Sequence, residues 1–160
     1  MNKQQKYEEL LPQIAALIQG ERDETAVMAN VTAALADAFD WWWTGFYRVC
    51  SDELLLGPFQ GPVACYHIGF GRGVCGTAWQ QEQTIVVDDV EQFPGHIACS
   101  SASRSEIVVP VKDQSGKVRA VLDIDSRHLA AFDATDRDCL ERLVALVADT
   151  IYPLYLPPKR

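Results

Sequence analysis

The chain has 160 residues, 22 acidic and 14 basic, and a formal net charge of −8. One domain is expected at that length, and 48% hydrophobic with 22% charged residues rules out wholesale disorder. Nucleic acid and anionic membrane are not expected partners, because no Lys/Arg cluster exceeds two residues and either surface needs a basic face.

The opening Met1-Asn2-Lys3-Gln4-Gln5 runs into charge rather than into a ~7–15-residue apolar signal core. No apolar run approaches the roughly 20 residues of a bilayer span, so the expected location is the cytoplasm. Leu10, Leu11, Ile14, Leu17 and Ile18 recur at helical spacing, and Gly20 stops the pattern. This predicts a helix over Tyr7–Ile18, and Val27, Val31, Leu35 and Ala38 predict a second over Glu24–Phe39. Together they make residues 1–40 a helical N-terminal part.

Six short aliphatic, β-branched or aromatic runs follow: Thr44–Cys50, Glu53–Leu56, Val63–Ile68, Thr84–Asp88, Glu106–Val111 and Val118–Ile124. Ser51-Asp52 and Gln114-Ser115-Gly116-Lys117 read as tight turns between strands. Asp133 is placed to cap a final helix, with Asp136 as the capping-box acid and Leu140, Leu143, Val144, Val147 and Ile151 as its apolar stripe. Pro153 ends it, and residues 154–160 are expected to be a tail. Helices at both ends of about six strands predict an α+β domain over 1–160, with one mainly antiparallel sheet. If the helices cover one face, the segments Gly69–Gln83 and Val90–Ser105 are left to cover the other as loops, around a small-molecule pocket.

Five cysteines cannot all pair within one chain, and thiols in the cytoplasm are normally reduced. Cys139 falls on the apolar face of the last helix and Cys50 at a strand end, both as packing residues. Cys65, Cys75 and Cys99 lie in Gly- and Ser-rich turns, where a thiol is more reachable. Two readings of these three stand open, a redox-active pair and small buried hydrophobes. A metal site is weakly signalled, because Cys65 and Cys75 are ten positions apart whereas structural zinc sites use tight pairs.

Glu106, Asp123 and Asp125 are embedded in apolar strands. Residues two apart on a strand share a face, so Asp123 and Asp125 point the same way, either to solvent or into a functional acidic pair. A hairpin through Gln114–Lys117 brings Glu106 alongside them. In Trp41-Trp42-Trp43, alternation sends Trp41 and Trp43 to one face and Trp42 to the other, and a spare indole there makes an apolar wall for a methyl or thioether group.

Trp43-Thr44-Gly45-Phe46-Tyr47, Leu56-Gly57-Pro58-Phe59-Gln60-Gly61, Gly71-Arg72-Gly73-Val74-Cys75-Gly76, Gly95-His96-Ile97-Ala98-Cys99, Ser105-Glu106-Ile107-Val108 and Val121-Leu122-Asp123-Ile124-Asp125-Ser126 occur in that order. Together they resemble the free methionine-(R)-sulfoxide reductases, small stand-alone GAF-domain enzymes. The resemblance runs from about Trp43 to the final helix. Departures are the Trp41-Trp42 pair, Val63 where Ile is usual, and a longer turn at Asp113–Lys117.

The resemblance implies that Cys99 is the catalytic cysteine and that Cys65 and Cys75 resolve and recycle it. It implies that Glu106, Asp123 and Asp125 contact the substrate and that Trp43 encloses its methyl end. A sulfenic acid on Cys99 is then expected, condensing with a second thiol to a disulfide that an external dithiol such as thioredoxin reduces. No metal or organic cofactor is implied, and the resemblance is the ground for expecting a homodimer. Two other classes stay open: a GAF-type sensor that binds a small ligand without turnover, and a thiol-based redox sensor.

Overall fold

The computed structural model describes residues 1–96 and 102–153. Two helices open the chain, α1 (Lys3–Ile18) and α2 (Glu24–Ala38). α1 starts a turn earlier than its apolar pattern, because Asn2 accepts from the Gln5 N–H while the Gln5 side chain accepts from the Asn2 N–H. Asp23 caps α2 through the Ala26 N–H.

Six strands follow: β1 (Trp43–Cys50), β2 (Glu53–Gln60), β3 (His67–Gly69), β4 (Ile85–Val87), β5 (Ser105–Lys112) and β6 (Val118–Ser126). They form one sheet in the order β3-β2-β1-β6-β5-β4, with every neighbouring pair antiparallel. A helix α3 (Gly73–Gln81) separates β3 from β4, and α4 (Ala134–Ile151) closes the fold.

Strand alternation sorts the side chains into two cores. Phe46, Ile107, Val109, Leu122 and Ile124 pack under α1, α2 and α4. Trp43, Tyr47, Val108 and Val121 face the other way, toward α3. The central strands are thus buried on both faces, and β5 reads as an almost unbroken apolar run.

α4 begins with the expected capping box of Asp133 and Asp136. Asp136 is fully buried and also accepts from the Tyr7 hydroxyl at 2.7 Å and the Lys3 ammonium at 2.5 Å. That cluster, with the Lys3 ion pair to the Asp133 cap at 3.2 Å, ties α1 to the start of α4. No helix among the described residues is long and apolar enough to cross a membrane.

Three sequence expectations are corrected. The strand read over Val63–Ile68 shortens to His67–Gly69 at the sheet edge, where it pairs only with β2. The segment Gly69–Gln83, read as a loop, contains α3. The triple tryptophan does not alternate, because the strand begins only at Trp43. Trp41 stacks on Phe39 in the helix-side core, while Trp42 and Trp43 both belong to the other side.

α3 escaped notice because glycine is a poor helix former, and three glycines fall at 71, 73 and 76. At Gly76 the reason is steric: a Cβ there would press into the carbonyl oxygen of Gly69. Propensity alone credits Gly76→Ala with about 1 kcal/mol of stabilisation. The backbone contact outweighs it, and a net loss of about 1–3 kcal/mol is expected from overpacking. Urea unfolding measures the sign, and a midpoint that rises would show that the Gly69–Gly76 approach is slack.

Candidate functional site

The site grows from the β5–β6 hairpin. Asp113 organises its turn by accepting from the Ser115 and Lys117 N–H groups at 2.9 and 3.1 Å. The resulting register sets Glu106 opposite Asp125 and Val108 opposite Asp123. On the other side of β6, Trp43 stands opposite Asp125 and Gly45 opposite Asp123. Paired residues share a face, so all three acids and Trp43 project to the side away from α1, α2 and α4. The expected shared face of Asp123 and Asp125, with Glu106 alongside, is what the sheet provides.

Gly45 has a purpose in this row. The Trp43 ring lies across it, where any Cβ would collide with the indole. Trp43 is thereby laid along its own strand, stacked with Tyr47 and Phe59, and its indole N–H donates to the Pro62 carbonyl at 3.0 Å. The result is a fixed apolar wall rather than a mobile side chain.

The first residues of α3 close the opposite side, bringing Gly73, Val74 and Cys75 over the acids, with Ala64, His96 and Ser103 at the margin. They enclose a cavity of about 60 Å³. One water needs only roughly 10–15 Å³, so the space fits more than solvent filling a packing defect.

The electrostatics are one-sided. Glu106 and Asp123 are each 6% exposed. Asp125 accepts from the Ser103 hydroxyl at 3.0 Å, whereas Oδ1 of Asp123 is buried with no hydrogen-bond partner among the described residues. Among the described residues, no Lys or Arg forms an ion pair with any of the three. Burial pushes the Glu106 and Asp125 carboxyls well above the ordinary range, and the negative charge of Asp123 pushes them further. Burial raises Asp123 too, against hydrogen bonds from Glu106 and Cys75 and the nearby His96. Burial lowers the His96 imidazole, partly opposed by Asp123. Such a cluster retains protons, and although Arg72 lines the same cavity, none of its three acids is ion-paired to Lys or Arg among the described residues.

The cysteines divide. Cys75 is buried and carries a free thiol. Burial raises that thiol well above its usual value, and the charges of Asp123, Glu106 and Asp125 add to the rise. Its sulfur, a Glu106 oxygen and an Asp123 oxygen all lie within 4.8 Å of one another, the one cluster of metal-ligating type found among the described residues. Cys65 is disulfide-bonded, and its carbonyl accepts from the Tyr47 hydroxyl at 2.9 Å. Cys50 and Cys139 carry free thiols away from the cavity, Cys139 within the helix-side core. Cys99 lies outside the described residues; the last described position before it, His96, lines the cavity.

Tyr47 and Ser103 were not singled out in the sequence. Tyr47 carried a usable signal, since it lies four positions from Trp43 on the same strand face. Ser103 carried none, because its contact with Asp125 spans 22 positions between a loop and a strand.

The GAF domain family matches residues 21–151. The chain is 55% identical over 147 residues to GAF domain-containing protein A of Dictyostelium discoideum, covering 91% of this chain and 92% of that one. It is 47% identical over 148 residues to the free methionine-R-sulfoxide reductase of Escherichia coli K12, covering 91% and 88%. Among solved structures, the free methionine-R-sulfoxide reductase of Neisseria meningitidis in complex with its substrate superimposes with a TM-score of 0.93 at 51% identity, covering 95% of this chain and 92% of that one.

Proposed function

This chain belongs to the free methionine-(R)-sulfoxide reductase family of GAF-domain proteins, and on that footing we propose that it reduces free methionine-(R)-sulfoxide to methionine with electrons from its own cysteines. The observation that carries the reading is the row of Glu106, Asp123 and Asp125 beside the Trp43 wall, in one cavity, with no paired Lys or Arg among the described residues. A free amino acid brings an ammonium that neutralises excess carboxylate and a thioether methyl that packs on an indole. A methionine inside a peptide has no ammonium and is refused.

The chemistry needs a thiolate that attacks sulfur and an acid that protonates the departing oxygen. We assign the thiolate to Cys99 and the proton to the carboxyl cluster, where burial and the neighbouring charge of Asp123 raise the proton affinity of Glu106 and Asp125. The sulfoxide sulfur gains two electrons and leaves as methionine. The Cys99 sulfur loses two and carries the oxygen as a sulfenic acid. A second thiol then forms a disulfide with it and releases water. An external dithiol of the thioredoxin type returns both thiols by exchange.

Two observations support Cys65 over Cys75 as the immediate resolving thiol. Cys65 is disulfide-bonded, whereas Cys75 is a free thiol whose ionisation is opposed first by burial and then by its acidic neighbours. A thiol with little thiolate attacks slowly. Cys75 then enters only by later exchange.

Cys65→Ser is therefore expected to give one equivalent of methionine and then stop with a thioredoxin-type reductant. Cys75→Ser should retain the first disulfide while slowing sustained turnover. Mass spectrometry with a sulfenate-selective label after one substrate addition checks both. Unchanged steady-state rates in Cys65→Ser would remove this assignment.

A further inference from the structure

We propose that Cys75, Glu106 and Asp123 form a site for a thiophilic divalent cation of the Zn²⁺ type, and that an ion there closes the cavity to the amino-acid substrate. Binding of the ion rests only on the geometry of these residues. The inhibitory consequence rests on the substrate reading given above.

The donors have the right identity and are already gathered. One sulfur and two carboxylate oxygens lie within 4.8 Å of one another. Zinc binds thiolate at about 2.3 Å and carboxylate at about 2.0–2.2 Å, so a tetrahedral site spaces its donors at roughly 3.5 Å. Rotation of side chains closes that difference, because the donors come from α3, β5 and β6 around a cavity rather than from one rigid turn. The independent pointer to a ligand is Asp123. Its carboxyl lines the cavity, the residue is 6% exposed, and Oδ1 is buried with no hydrogen-bond partner among the described residues. A buried acceptor in that state is a loss to the fold that a cation would recover. His96 borders the same cavity and offers an imidazole for the fourth position, which water fills otherwise.

The donor set also selects the ion. Magnesium requires near-octahedral oxygen and calcium six to eight oxygens, and a thiol suits neither. Sulfur with two carboxylates and an imidazole suits zinc and its softer neighbours. On binding, the Sγ–H bond of Cys75 breaks, a zinc–sulfur bond forms and the proton leaves to solvent. Protons held on the two carboxyls leave with it, and no electrons are transferred. The ion takes the place that the substrate ammonium would occupy, so the two compete.

The test is metal titration of the purified full chain, with Co²⁺ as the spectroscopic probe and Zn²⁺ followed by proton release. Wild-type protein is expected to bind one ion with a thiolate-to-cobalt charge-transfer band. Cys75→Ser should lose the band and weaken Zn²⁺ at least roughly tenfold, as loss of a ligand does. Glu106→Gln should weaken Zn²⁺ while keeping the band, since its thiolate is intact; this variant covers the case in which Cys75→Ser folds poorly. Cys50→Ser and Cys139→Ser should keep both band and affinity.

Absence of a band in wild type overturns the proposal. So does a band that persists in Cys75→Ser and vanishes in Cys65→Ser. Binding at Cys75 by a protein that does not consume methionine sulfoxide would support the metal site and remove the substrate reading. Turnover without metal binding would do the reverse.

Discussion

Cys99→Ser is expected to yield no methionine at all, not even one equivalent per chain. Reduction of a sulfoxide needs two electrons from the attacking atom. A thiolate supplies them and ends as a sulfenic acid, whereas a serine oxygen has no comparable oxidised state. The hydroxyl is also far less acidic than a thiol near pKa ~8.5, so it presents almost no nucleophile at neutral pH. The other cysteines do not replace it. Cys75 is kept protonated by burial and by three neighbouring acids, and Cys50 and Cys139 lie outside the cavity. A single addition of substrate followed by chromatography of methionine gives the answer. One equivalent from the variant would move the nucleophile to another thiol.

Neutralising one acid should separate function from stability. Asp123→Asn or Glu106→Gln removes a charged contact to the substrate ammonium inside a buried site. Losses of that kind run to about 2–4 kcal/mol of transition-state stabilisation, roughly 30- to 1000-fold in kcat/KM. The unliganded fold should respond in the opposite direction. Glu106 and Asp125 have affinities for protons well above those of an unfolded carboxylate. The native state therefore binds more protons than the unfolded state above the ordinary range near ~4. Stability is present in full at low pH and is lost as pH climbs through the raised values. Glu106→Gln should flatten that decline and raise the melting temperature at neutral pH. Thermal unfolding against pH checks this, and a wild-type stability that increases with pH over the same window would contradict the clustered-acid description.

Substrate binding should follow the same signs. An ammonium favours ionised carboxylates, so binding expels protons. Activity should fall on the acid side as the cluster loses charge, and on the alkaline side as its proton donor is lost, giving a bell-shaped profile.

The sheet was legible because its central strands carry strong signals. β5 and β6 are mainly aliphatic stretches joined by an Asp-x-Ser-Gly-Lys turn, and the hairpin register follows from the turn position. The face shared by Glu106, Asp123 and Asp125 follows from that register. The capping box of Asp133 and Asp136 was likewise a local feature.

What escaped depended on tertiary contact. α3 is set by Gly76 meeting Gly69, which overrides a glycine's poor helix propensity. The fate of Trp41 is set by Phe39 and Phe132, which draw its ring to the helix side before the strand has begun. The difference between Cys65 and Cys75 has no local signature, since both sit among glycines or small residues. Burial, and after it the acids that the sheet gathers beside Cys75, make its thiol reluctant to ionise.

One assay weighs the whole proposal: consumption of free methionine-(R)-sulfoxide by the purified protein with a dithiol reductant, alongside N-acetyl-methionine-(R)-sulfoxide. The expected result is sustained conversion of the free amino acid and very poor conversion of the N-acetyl compound, which lacks the ammonium that the buried acids require. Binding of the free amino acid without any methionine formed would contradict catalysis and leave a ligand-binding GAF domain. Equal rates on both compounds would keep the thiol chemistry but contradict recognition of the amino group by Glu106, Asp123 and Asp125.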